Sequence, residues 1–144
     1  MMKASTFLIA TIFLTGFSGV VSAIDFCPAS APLETFLCNA NEDYHSLQFI
    51  GEVAILTNTS VPGTEAAIEE VRQHIKPFLV KAKNTVFFNT KAGEILNDFY
   101  IYWITLIDDS RPRPYEDLLL YQQRSDERYT VLQEKANRLR IAAE

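Results

Sequence analysis

Histidine and cysteine are scarce in this chain, two of each in 144 residues, and tryptophan occurs once. With only His45 and His74 available as bases and no G-x-S-x-G elbow to present a serine, a nucleophilic triad has little to build from. The H-E-x-x-H zinc pattern, the phosphate-binding P-loop and the dinucleotide-binding G-x-G-x-x-G are also missing. No internal repeat or low-complexity tract occurs. Positive charge is short as well: 13 Lys and Arg stand against 18 Asp and Glu, a net charge of −5, which is not a nucleic-acid footprint. These absences point away from an enzyme, leaving catalysis by dispersed residues as the last of the readings. They imply no cofactor and no metal.

What the chain does have begins at its N-terminus. Lys3 precedes an apolar core, Phe7 to Leu14, and small residues follow, ending in Val21-Ser22-Ala23. Residues 1–23 therefore read as a secretory signal, with small side chains at the last and third-last positions to suit a signal peptidase. An uncleaved anchor is the rival, because Ala4 to Ile24 carries no charge and about 20 apolar residues cross a bilayer. Gly16, Ser18, Gly19 and Ser22 dilute the run and favour cleavage. No later segment can span a membrane. Residues 24–144 remain as a single domain, expected to be extracellular and to have no stable membrane insertion once the signal is removed.

Both cysteines, Cys27 and Cys38, lie near that new N-terminus. The destination is oxidising and the spacing is neither a metal knuckle nor a redox C-x-x-C, so a disulfide is predicted. Asn58-Thr59-Ser60 is the sole N-x-[ST] sequon, and Val61-Pro62-Gly63 after it marks a turn, which makes Asn58 a candidate glycosylation site.

Four apolar stripes follow at three-and-four spacing, the signature of helices with one buried face. The first is Leu33, Phe36, Leu37, Ala40, Tyr44, Leu47, Phe49 or Ile50, and Ala54, ending before Asn58. Pro28 and Pro32 predict an extended strap ahead of it, tied down by the disulfide. The second is Ile68, Val71, Ile75, Phe78, Leu79, Ala82 and Val86, with Thr64 as expected cap and Pro77 as expected kink. Ala92, Ile95, Leu96, Phe99, Tyr102, Trp103 and Leu106 form the third; its aromatic and β-branched end, residues 99–107, makes a buried strand the rival, and length favours helix. After the turn Asp108 to Pro114, a last helix is expected from Pro114, with Glu116 and Asp117 in its first turn. Its seam reads Leu118, Gln122, Ser125, Tyr129, Leu132, Ala136, Leu139 and Ala143. Arg124 and Arg128, four apart, count there as mildly repulsive. The predicted fold class is all-α: an irregular four-helix bundle with a disulfide-stapled strap and a long C-terminal helix.

Charge is divided along the chain. Acidic residues dominate up to Arg72, and six of seven arginines fall after residue 110, so the two parts are expected to pack together as solvated faces. Asp108-Asp109 is the obvious adjacent carboxylate pair, and adjacent carboxylates in a turn normally face water. Glu42-x-x-His45 has the spacing of half a di-iron motif, but lacks the second half, so it reads as a surface histidine beside an acid. The crowd of large rings in mid-chain reads as core, with a ligand space between helices as the alternative, lined by Phe78, Leu96, Phe99, Tyr102 and Trp103. The expected function is thus a secreted, non-enzymatic binding protein that contacts another macromolecule, an extracellular protein. The alternative is a carrier of a hydrophobic small molecule.

Overall fold

In a computed structural model, the structure describes residues 27–28, 31–58, 62–86 and 90–144; the signal assigned to residues 1–23 lies outside them. Four helices carry the fold, α1 (Pro32–Thr57), α2 (Pro62–Val86), α3 (Thr90–Asp108) and α4 (Leu118–Ala143), and no strand occurs among the described residues. Cross-helix bonds set their directions. Arg140 reaches Glu34, Gln133 reaches Asn41 and Gln122 reaches Glu52, so α4 runs antiparallel to α1. Arg72 early in α2 meets Asp108 at the end of α3, and Lys135 of α4 meets Asp98 of α3. Consecutive helices are neighbours and α4 closes back on α1, an up-down-up-down bundle.

The disulfide is present: Cys27 and Cys38 are joined, with Cα atoms 5.5 Å apart. This link matters locally because the N-cap of α1, Ala31, offers no side chain to the first turn. Instead Pro32 supplies a preset φ, and Thr35 donates its hydroxyl to Pro28 O and its N–H to Ala31 O. At the other end Asn58 closes the helix in the left-handed region, φ 51°, with its N–H turned to Ala54 O and Ile55 O.

The inward stripes fill one core. Phe36, Ala40, Leu47, Ile68, Ile75, Leu96, Phe99, Trp103, Leu106, Leu132 and Leu139 are essentially closed to solvent. The segment 99–107 is helical, which resolves the strand alternative; Phe99, Trp103, Leu106 and Ile107 turn inward while Ile101 and Thr105 face out. Buried polar tips find carbonyls: Trp103 Nε1 donates to Ala40 O at 2.8 Å, Tyr121 hydroxyl to Ser110 O at 2.7 Å and Tyr44 hydroxyl to Ser125 O at 3.2 Å.

Four details differ from the sequence expectation or refine it. Thr64 lies within α2 and is buried, so it packs rather than caps, since the helix starts two residues earlier at Pro62. The helix passes Pro77 as one element; the proline sits on the exposed face, where water can satisfy the carbonyl it leaves without a donor. α4 starts at Leu118 and not at Pro114, because Asp117 is its N-cap, accepting from Leu120 N at 2.8 Å. Its seam accordingly buries Tyr121, and Gln122 is exposed. Tyr121 fits because Gly51 faces it: a Cβ at Gly51 would overlap the phenol ring and hydroxyl.

Candidate functional site

The arginines and acids that divide the sequence meet at the end of the bundle formed by the α3–α4 turn. Arg124 is the hub. Its side chain, 11% exposed, makes a two-point fork with Glu116, 8% exposed, through Nη2–Oε1 at 2.7 Å and Nε–Oε2 at 2.8 Å. It donates further to Asp109 O at 2.6 Å and Arg111 O at 3.2 Å, and its guanidinium lies 5.3 Å from the Tyr121 ring. The Arg124 guanidinium holds the Glu116 carboxyl below the usual carboxylate range. Asp109 accepts from Arg113 at 3.3 Å and from Arg128, and lies 3.6 Å from Arg124, while Asp108 pairs with Arg72. Arg111 forks onto Glu65. The adjacent aspartates are therefore counter-ions for arginines brought in from three elements, and Arg124 and Arg128 are reconciled by a shared carboxylate. Sequence spacing alone had no view of that tertiary partner.

The histidines are engaged separately. His74 Nδ1 bonds Asp43 Oδ2 at 2.9 Å across α1 and α2, with its ring edge against Phe78. Burial raises the Asp43 carboxyl despite that bond. A carboxylate-oriented imidazole is the frame of a general base, but its described contacts are a carboxylate and a ring, not a hydroxyl to activate. His45 bonds Gln48 Oε1 at 2.7 Å and packs on Tyr129, so it is not paired with Glu42. Among the described residues no three His, Cys, Asp or Glu converge to hold a metal ion. Burial pushes Tyr44 up to about 12 and Tyr121 higher still, which keeps both phenols neutral donors.

Of the five mid-chain candidates, Leu96, Phe99 and Trp103 are buried in the core and Phe78 and Tyr102 are packed against it. Phe99 stands edge-on to Phe36 at 5.6 Å, and Trp103 stacks on Tyr100. Among the described residues, open grooves lie elsewhere, one at each end of the bundle, and none of the five lines either of these. One, of about 420 Å³, lies between Ala31–Glu34, Thr85 and Arg140. The other, of about 560 Å³, lies between Ala54, Ile55 and Asn58 of α1 and the turn Pro112 to Glu116.

Two surface features escaped the sequence reading. Phe49 is not in the inward stripe: it is 65% exposed, and with Val53, 38%, and Leu56, 69%, it makes an apolar line at four-and-three spacing. At 3.6 residues per turn that line is opposite the face that puts Leu47, Gly51 and Ala54 inward. The signal was available in residues 47–56, where Phe49, Ile50, Val53, Ile55 and Leu56 are more apolar residues than a helix with one buried face requires. The second feature is Tyr115, fully exposed and left-handed, φ 66°. Glu116 N bonds Arg113 O at 3.1 Å, so Pro114 and Tyr115 are the middle of a four-residue turn whose third position belongs to glycine or asparagine in most proteins. Glu116, held by Arg124, accepts from Arg113 N at 2.9 Å and locks it. No helix among the described residues is long and apolar enough to cross a membrane. Comparison of the chain with protein-family models, with curated proteins and with solved structures finds no match.

Proposed function

We propose that the chain is a secreted, non-enzymatic binding protein that lays the outer face of α1 against an apolar groove of an extracellular protein. The observation that carries this reading is the line Phe49, Val53 and Leu56, large side chains left in water at the spacing by which amphipathic helices anchor in grooves. Two further facts support it. The chemistry-bearing side chains at the turn end are occupied with one another, and the mid-chain rings are committed to packing. The Cys27–Cys38 bond fits an oxidising, extracellular destination for the signal-like N-terminus.

The test uses protein recovered from the medium of secreting cells. A photo-crosslinking residue at Phe49 should form a discrete adduct with one partner, and Phe49→Ser with Leu56→Ser should abolish it without lowering the melting temperature. Crosslinking that survives the double substitution removes the α1 face from the proposal.

A further inference from the structure

The sequon at Asn58 meets the 560 Å³ groove at its lip. Asn58 is exposed and itself lines the groove, together with Pro112, Arg113, Pro114, Tyr115 and Glu116 of the α3–α4 turn. Such a surface has a composition that suits a sugar: prolines and an exposed tyrosine offer apolar faces to the C–H side of a pyranose. We infer that Asn58 carries an N-linked glycan and that its first N-acetylglucosamine units lie in this groove, stacked on Tyr115. This rests on the secretory reading proposed above.

The covalent step is an ordinary transfer. Asn58 Nδ2 attacks the anomeric carbon of a lipid diphosphate-linked oligosaccharide; the C–N bond forms as the C–O bond to the diphosphate breaks, the lipid diphosphate leaves, and one amide proton passes to a base. Transfer precedes folding, so the fold has only to accommodate the product, and exposure of Asn58 at the end of α1 does so. The groove explains two features that otherwise stand apart. Asparagine suits the left-handed cap, and here the capping residue also lines the groove. Tyr115 occupies a glycine position at a steric cost, which a large exposed ring offsets only if something covers it. The attached sugar would leave the opposite face of α1, Phe49 to Leu56, open to a protein.

The full chain is expressed in a eukaryotic secreting cell, and the released protein is weighed before and after peptide N-glycosidase, which leaves aspartate at position 58. The expected result is one glycan, absent in Ser60→Ala, a variant that keeps the Asn58 cap. The rate of enzymatic release from the native protein is then compared with that from Tyr115→Gly, which removes the ring and fits the left-handed turn. Release should become about five-fold faster in Tyr115→Gly with no fall in melting temperature. Chain left in the cytosol with Met1 intact overturns secretion and this inference together. Secreted chain without a glycan overturns the inference alone, and a glycan released at equal rates from both proteins overturns its seat in the groove.

Discussion

The two ends of the bundle are closed by different forces. At one, a covalent bond ties Cys27 to Cys38 at the start of α1, and Arg140 of α4 pairs with Glu34 nearby. At the other, no covalent link exists among the described residues, and the turn between α3 and α4 is held by guanidinium and carboxylate groups centred on Arg124, Glu116 and Asp109. A helix start without a side-chain cap needs an external restraint, and the disulfide gives one that neither acid nor salt weakens. A nine-residue turn carrying two prolines has few backbone bonds of its own, so side chains must satisfy its carbonyls, and Arg124 does so at two of them. The lesson is that one end answers to redox conditions and the other to charge.

The largest break in that comparison is Arg124→Met, which leaves Glu116 nearly buried without its counter-ion and two turn carbonyls unmet. It should lower stability by about 3–5 kcal/mol in a urea titration, and Glu116→Leu added to it should restore most of the loss. Next comes Cys38→Ser, expected to cost about 3 kcal/mol for so short a loop. The damage should stay at its own end: hydrogen exchange should rise at the first turn of α1 and remain unchanged at Leu120 N. The smallest effect is that of acid. Glu116 has a folded-state value below its ordinary 4.5, so its contribution is complete above about pH 4.5 and is lost as pH falls through the lower folded value. Asp43, raised from 3.8 by burial, works in the opposite direction, its burden easing as it protonates. Acid should therefore speed exchange at Arg113 N, which bonds Glu116, ahead of the α1–α2 contact at Asp43. Equal acceleration at both would show that the turn does not loosen independently of the middle of the α1–α2 pair.

All four helices were readable from the spacing of apolar residues, and the disulfide from the count and placement of cysteines. Where the reading slipped, a local rule was satisfied by the wrong residue. Pro114, Glu116 and Asp117 make an acceptable first turn, but Glu116 is claimed by Arg124 and Arg113 N, so the helix begins after Asp117. That late start, with the space left by Gly51, puts Tyr121 rather than Gln122 in the seam. Spacing offers Phe49 or Ile50 as the inward residue, but Phe49 is exposed, Ile50 is half-buried, and the turn of α1 buries Gly51, which carries no apolar signal at all. The arginine assembly was invisible for a plainer reason: Asp109, Arg124 and Arg128 are partners only once α3 and α4 are folded back on each other.

Gly51 and Tyr121 have a bearing on how this chain can change over generations. A methyl group at 51 would occupy the phenol's place, and the phenol is held by Ser110 O, so neither position is free to vary by itself. Sequences that descend from this one are expected to alter the two sites as a pair, a larger residue on α1 accompanying a smaller one on α4. The axial slide of one helix along the other is thereby inherited as a single two-residue character.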